Sequence, residues 1–561
     1  MDRENDIRDF IPREYWSIDV KLDRIAPNAG SLSAHFYGKE NGKIEPASQK
    51  EVDVILNRIQ DAEFVVSGIR KAKKQKSPAP PFITSTLQQE ASRKLNMPPR
   101  RTMTIAQQLY EGVEIEGQGL TGLISYMRTD SLRISDEAIF AARDYIKAKH
   151  GEKYCPKSFR IYKTKKGAQD AHEAIRPTYV NLEPDKIKSS LTPEQYKLYK
   201  LIWSRFIACQ MENAVYDTIS VDISAADYIF RATSAAISFK GYTAVYVEGN
   251  DDNGEKIAEN SLPDLSEGEK LNIDDVAPQQ HFTIPPARYT EASLIKAMEE
   301  KGVGRPSTYA PTISTILDRE YVEKVNKNLQ PTALGEVVNS LMVDKFKDII
   351  DVEFTAKMEE SLDLIETGAQ DWKKTLEEFY QGFERDLTDA EKALEGERLK
   401  VPEEVTDVIC EKCGKNMVVK TGRFGKFLAC PGYPECKNTK AIVEETPGEC
   451  PNCGGKILKK KSKNGYAYFG CEKFPDCTFM TWDVPQKERC EECGKTMYKR
   501  SGKGQKKIFC ANPECSKYEP QPERVKKVSS KSAKSAGKRA KSKTAAKKKT
   551  TTKTKDGKIN E

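Results

Sequence analysis

Tyr126 and Arg128 stand two residues apart in Ser125-Tyr126-Met127-Arg128-Thr129-Asp130-Ser131. A phenol that loses its proton can attack a phosphodiester, provided nearby cations stabilise the crowded phosphate. Arg128 suits that second role, because a guanidinium is always charged and its fork of N–H donors matches phosphate oxygens. The heptapeptide follows a short apolar run, residues 120–124. The plain alternative is a surface tyrosine in a strand-to-helix turn, with Thr129-Asp130-Ser131 as helix caps. Tyr-x-Arg is a common spacing and by itself favours that alternative.

The cysteines are more specific. Of fourteen, twelve lie after residue 400 in three sets. The first is Cys410, Cys413, Cys430 and Cys436; the second Cys450, Cys453, Cys471 and Cys477; the third Cys490, Cys493, Cys510 and Cys515. Each opens with Cys-x2-Cys, and the first thiol recurs every 40 residues, at 410, 450 and 490. That period marks three copies of one small module. Two knuckles per module place four thiolates around a Zn²⁺. A disulfide framework is the rival, and the paired Cys-x2-Cys spacing argues against it. Modules this short bury too little apolar surface to fold alone, so the metal supplies folding energy. Rings and cations alternate within them: Arg423, Phe424, Lys426 and Phe427; Lys459, Lys460, Lys461, Tyr466, Tyr468 and Phe469; Tyr498, Lys499, Arg500, Lys506, Lys507 and Phe509. Bases can stack on such rings while cations track a single strand. The other use of the rings is to fill the small cores, and the expectation is that they divide between the two. Cys155 and Cys209 lie outside the repeat, and Cys209 reads as buried apolar filling.

Further blocks place the tyrosine in context. GLISYMRTDS (residues 122–131) resembles the active-site motif of type IA DNA topoisomerases, the bacterial DNA topoisomerase I group. PPFITSTLQ (80–88), Thr102-Met103 with AQQLYEG (106–112), AHEAIRPT (171–178), PPARYTEASL (285–294), GRPSTYA (304–310) and FTAKME (354–359) resemble the same family in the same order. The resemblance covers roughly residues 1–400, and several ordered blocks are far more specific than one motif. It implies that Tyr126 forms a 5′-phosphotyrosine bond with single-stranded DNA and that Arg128 stabilises the phosphate. It also implies strand passage without ATP, relaxation of negative supercoils, and a monomer. Similar four-cysteine ribbons follow the core in that family. His172, beside Glu173 and Arg176, is expected to bind a phosphate near the scissile bond or to tune the phenol. Arg305, Ser307 and Thr308 are expected to contact the strand.

The family normally begins with a Toprim domain, whose acidic residues hold Mg²⁺. This chain starts with Met1-Asp2-Arg3-Glu4, which resembles a point after that domain. Asp251-Asp252-Asn253-Gly254 reads as a turn and Asp274-Asp275 as a solvated loop pair, so neither offers a replacement Mg²⁺ site. Two readings follow: a topoisomerase completed by a separate Toprim-containing fragment, or a single-stranded DNA-binding fragment without catalysis.

The elements that must position these residues are partly legible. Leu191-Thr192-Pro193-Glu194-Gln195 opens a helix with a Thr cap, Pro in first position and Gln in third. Leu198, Ile202, Phe206 and Cys209 form its buried stripe. Residues 216–223, 228–232 and 242–247 read as strands, and 16–37 alternates in parts and is expected to pair with them. A helix from Glu291, a turn at Gly302-Val303-Gly304, a second helix from about Ser307 and a hairpin around Asn326-Lys327-Asn328 resemble a winged-helix unit. Arg305, Ser307 and Thr308 stand at that second helix's N-terminus, where N–H groups attract phosphate. Charged amphipathic helices follow from 354 to 397.

The fold class is therefore multidomain α+β: a toroidal type IA core of helical and β-arch domains with winged-helix-like units, then three four-cysteine ribbons and a basic tail. The expected division is 1–19 with 286–400 as the winged-helix-like core domain, 20–85 with 215–285 as the β-rich arch, and 86–214 as the helical insertion carrying Tyr126. The ribbons are 406–439, 448–482 and 488–518, and 519–561 is a disordered Lys-rich tail.

Composition sets outer limits. A chain of 561 residues exceeds one core. The net charge of +8 is uneven: residues 525–561 hold 14 Lys or Arg and 2 acidic residues, a balance of +12, which leaves −4 for the rest. Such a tail gives salt-sensitive, sequence-blind affinity for DNA. A mean hydropathy of −0.66 and no apolar run near ~20 residues argue against a membrane span. The charged start is unlike a secretory signal, so a cytoplasmic, nucleoid-associated protein is expected. No GxxxxGK[ST] loop occurs, in keeping with an ATP-independent reaction.

Overall fold

The computed structural model describes residues 1–518 apart from 26–29, 164–171, 250–261, 398, 400, 423–424, 443, 462–466 and 501–507. Ala171, Asp251 to Gly254, Arg423, Phe424, Tyr466, Lys506, Lys507 and the tail 519–561 lie outside them, as do the side chains of Lys426 and Lys461. The chain divides into two units, Met1–Pro402 and Glu403–Glu561.

In the first unit, α1 (Asp2–Arg8) leads into β1 (Glu14–Arg24), β2 (Ser31–Lys39), the short β3 (Gly42–Lys43), α2 (Gln49–Ile59) and β4 (Phe64–Lys76). A helical segment follows, with α3 (Thr84–Leu95), α4 (Pro99–Glu111), the hairpin β5 (Val113–Ile115) and β6 (Gly119–Thr121), α5 (Asp136–His150) and α6 (Pro193–Cys209). The chain then returns through β7 (Ala214–Ala225), β8 (Tyr228–Phe239) and β9 (Lys270–Phe282). The sheet order is β1-β9-β4-β7-β8-β2-β3, and β1 also pairs with β2. The six long strands thus close into a ring of antiparallel pairings, which leaves few free edges. Period-2 burial explains the fold of these strands: Ile18, Val20 and Leu22 of β1 point inward and meet Val52, Ile55 and Ile59 of α2.

Two expectations for this region are corrected. Residues 242–247 do not form a strand. Gly241 turns at φ +48°, where a Cβ would lie 2.3 Å from the Asn213 carbonyl oxygen, and a 3₁₀ turn Gly241–Ala244 follows. Tyr242, Val245 and Tyr246 then meet the helical core at i, i+3, i+4 spacing. Asp274 and Asp275 are not in a loop but within β9, where the register with β1 slips between Lys21 and Leu22. Asp274 answers Lys21 at 2.5 Å, so the bulge places a charge at the exposed surface.

The helical segment builds a second core. The α6 capping box forms, with Thr192 Oγ1 accepting from Gln195 N and Gln195 Oε1 accepting from Thr192 N. Leu198, Ile202, Phe206 and Cys209 are all buried, but so are most other positions from Leu198 onward, so α6 is a central helix rather than a one-sided one. Burial pushes the Cys209 thiol up to about 12, which makes it inert filling. Beyond the sheet, α7 (Glu291–Glu300), α8 (Tyr309–Asp318) and the hairpin β10 (Val322–Val325) and β11 (Asn328–Pro331) follow, then α9 (Ala333–Lys345), α10 (Lys347–Ile350), α11 (Val352–Glu366) and α12 (Trp372–Ala393). Asn326 and Lys327 both have positive φ, as a tight two-residue hairpin turn requires. α7 lies against α3, and α8 against α4.

The second unit holds three small antiparallel sheets, one per cysteine set. They span Glu404–Ile409 to Thr439–Ala441, Glu444–Glu449 to Met480–Thr481, and Val484–Arg489 to Ile508–Cys510.

Candidate active site and zinc centres

Tyr126 lies in an irregular segment between β6 and α5. Burial nevertheless alternates along it. Met127, Thr129 and Ser131 point into the protein, while Tyr126 and Asp130 are half-buried and Arg128 is exposed. Phenol, guanidinium and carboxylate are therefore the accessible groups of the segment. Thr129 to Ser131 are not helix caps, because α5 starts only at Asp136 and Ser135 takes its N-cap position. Thr129 is needed elsewhere: its N–H donates to Thr84 Oγ1 at 2.9 Å, and its carbonyl accepts from Thr84 N. Thr84 Oγ1 also donates to Met127 O at 2.7 Å. The first turn of α3 thus clamps one side of the segment.

The other side is clamped by the loop that holds His172. Ser125 N donates to Arg176 O and Ser125 Oγ to Ala174 O, while Arg176 N donates back to Ser125 Oγ. Bridges Ile124↔Pro177 and Phe82↔Ile175 extend this pairing. As a result the His172 ring sits 4.9 Å from the Tyr126 ring, and Tyr110 of α4 meets Tyr126 edge-on at 5.5 Å. Arg176 has its guanidinium engaged, by Glu173 at 2.7 Å and by Pro177 O at 3.1 Å. Its backbone positions Tyr126 more directly than its charge does.

Arg305, Ser307 and Thr308 lie at the start of α8. Arg305 donates to Asp363 Oδ2 at 2.7 Å and to Gly304 O, and Glu359 stands 3.9 Å away. Ser307 and Thr308 are exposed. Burial pushes the neighbouring Tyr309 phenol up to about 12, with Glu299 and Asp130 adding to the rise. Sequence reasoning missed the roles of Thr84, Ser125 and Tyr110; all three lie in or beside quoted blocks, but nothing in their type announces a clamp. Ser85 Oγ and both amide atoms of Gln88, on the same helix as Thr84, are buried without a partner.

Each cysteine set closes into one cluster whose four sulfurs lie within 4.8 Å of one another. The shortest Sγ–Sγ separations are 3.2 Å for Cys413–Cys430, 3.3 Å for Cys453–Cys471 and 3.5 Å for Cys493–Cys510. Disulfides need about 2.05 Å, so the rival framework is excluded. A tetrahedral Zn²⁺ with bonds of about 2.3 Å spaces its sulfurs roughly 3.8 Å apart, and the clusters fit it. The knuckle is local chemistry: the Cys-x2-Cys-Gly run turns at Gly414, Gly454 and Gly494, with φ of +72°, +70° and +69°. Gly432 N and Asn438 Nδ2 donate to the sulfurs of Cys430 and Cys410, which orients the ligands. In the third ribbon, Tyr498 and Phe509 are among the rings that fill the core: both are buried. Among the described residues, these three clusters are the groups of three or more His, Cys, Asp or Glu side chains able to hold a metal ion. No helix there is long and apolar enough to cross a membrane.

A family profile described as DNA topoisomerase matches residues 1–377. A second, described as the topoisomerase DNA-binding C4 zinc finger, matches 407–445, 447–486 and 487–524. Among solved structures, full-length topoisomerase I from Thermotoga maritima is similar, at 36% identity and a TM-score of 0.59, over 79% of this chain and 68% of that one. Two-thirds of the chain matched to one profile, and three zinc-binding ribbons behind it, place this protein in the type IA family of bacterial DNA topoisomerase I.

Proposed function

We propose that this chain cleaves and rejoins one DNA strand through Tyr126. The phenol oxygen attacks the phosphorus, the bond to the 3′ oxygen breaks, and that oxygen leaves with a proton as a 3′-hydroxyl. The 5′ end stays on Tyr126 as a phosphodiester, so its bond energy is kept and resealing needs no nucleotide. The observation that carries this reading is the accessible Tyr126 ring 4.9 Å from that of His172, with an exposed Arg128 two residues on. Arg128 offsets charge on the phosphate as it crowds. His172 either holds a neighbouring phosphate or shares the phenol's proton, and Ser307 and Thr308 receive the strand at the start of α8. Arg305 joins them only by exchanging Asp363 for a phosphate, and Arg176 supports from behind. The ribbons and the basic tail grip single-stranded DNA, and the whole activity relaxes negative supercoils.

Mg²⁺ would assist cleavage from the carboxylates of a separate Toprim-containing fragment. The second reading, a single-stranded DNA-binding protein without cleavage, is favoured by one observation: the metal-capable clusters among the described residues are all thiol sites. Mixing the chain with labelled single-stranded DNA and Mg²⁺, then denaturing, separates the two. The proposal expects protein-linked label that disappears in Tyr126→Phe. Label that appears only after a Toprim fragment is added assigns the acidic half to a partner. No label under either condition leaves the binding reading.

A further inference from the structure

The three ribbons have one plan but distribute their aromatic rings differently. Before the last cysteine, the first two carry Tyr433 and Phe474, 69% and 66% exposed. The third carries Asn512 there, buried and accepting from Lys495 Nζ at 3.2 Å. In the interior the bias reverses. Where the first two have Val418 and Leu458, the third has Tyr498; where they have Ala429 and Gly470, it has Phe509. Tyr498 and Phe509 are 1% and 5% exposed, and they do not fill their own ribbon alone. They share one core with Ile457 and Phe469 of the second ribbon, and Tyr498 meets Phe479 at 6.2 Å.

The junction is shaped for this contact. At Gly448 a Cβ would lie 2.7 Å from both Pro485 Cβ and Thr496 Cγ2, so only glycine admits the third ribbon so closely. The corresponding residue of the first ribbon is Val408. Glu449 N donates to Thr496 Oγ1 at 2.8 Å, and Arg489 pairs with Glu449 at 2.6 Å. The first ribbon, by contrast, closes a core of its own residues, Cys410, Met417, Leu428 and Cys430.

We propose that the third ribbon is a brace: it completes the core of the second so that the two fold as one two-zinc unit, while Tyr433 and Phe474 are the rings on which single-stranded DNA stacks. The stacking half rests on the reading that the ribbons hold DNA; the brace half does not. A small domain gains cooperativity when one core serves two metal sites, because neither half can bury its apolar residues alone.

Zinc release from the full-length chain to a chromophoric chelator tests the brace. Tyr498→Ala keeps all twelve thiols, and it is expected to speed release of two of the three zinc ions together, by about 10-fold or more, with the third unchanged. Acceleration of one ion only, or of none, overturns the brace. Phe509→Ala is the second variant and must act on the same two ions. Binding of an oligothymidylate of ~15 nucleotides, read by fluorescence anisotropy, tests the stacking. Tyr433→Ala and Phe474→Ala are each expected to weaken it about 10-fold, since a base on an aromatic face contributes about 1–3 kcal/mol. Unchanged affinity in both overturns the stacking assignment. A wild-type chain that does not bind the oligonucleotide at all overturns the functional reading itself, and the zinc-release result still judges the brace.

Discussion

Around Tyr126, order comes from a large apolar core and from main-chain hydrogen bonds; in the ribbons, it comes from twelve thiols and a few buried rings. The Tyr126 segment has no regular secondary structure, yet Thr84, Ser125 and the core under Met127 hold it from two sides. The ribbon strands are regular, yet their cores contain about half a dozen buried residues each or fewer. Regularity and stability are therefore separate properties here. A reactive side chain is best presented on a loop whose rigidity is borrowed from a scaffold. A strand-gripping module can be small if a metal replaces the core.

Removing zinc should break the comparison most strongly. A chelator is expected to unfold the ribbons entirely, because zinc contributes about 10–16 kcal/mol in peptides of this kind. Residues 1–402 should keep their protection from amide exchange. A common loss of protection in both units would contradict two independent sources of order. The opposite perturbation, Phe206→Ala in the buried last turn of α6, should cost the first unit about 3–5 kcal/mol and leave zinc stoichiometry at three.

How much of this was visible beforehand follows the same divide. Cysteine spacing carries its own geometry, so the three clusters were legible to the residue. The α6 capping box was legible for the same reason: it is a local contract between Thr192 and Gln195. Residues 242–247 misled because alternation and helical spacing overlap in a short aromatic run, and only the turn at Gly241 against Asn213 decides between them. The clamp at Thr84 was not legible, since a hydroxyl at position 84 finds its partners at 127 and 129, some 45 residues on, and nothing local announces the pairing. Nor was the burial of Tyr498, which depends on a neighbouring repeat.

Smaller effects sharpen the picture. Thr84→Val should cost about 1–3 kcal/mol, the range for leaving a buried backbone group unpaired, with a larger relative loss of DNA-linked product. Equal loss of both would mean that Thr84 only stabilises. Glu4 gives the mildest test. Its carboxylate accepts two bonds from Arg288, which hold it below the usual carboxylate range. A lowered folded value contributes stability above the ordinary carboxylate pKa, and that contribution is lost as pH falls through the folded one. Amide protection factors of α1 should therefore fall on acidification, and Glu4→Gln should flatten that dependence.

The most direct test is to map the residue that carries the nucleotide. After cleavage in the presence of Mg²⁺ and, if required, a Toprim fragment, the adduct is digested with nuclease and trypsin. No Lys or Arg lies between 102 and 127, so residues 102–128 emerge as one peptide holding both Tyr110 and Tyr126. Fragmentation should place the nucleotide on Tyr126. A nucleotide on Tyr110, or on any residue outside this peptide, would contradict the account.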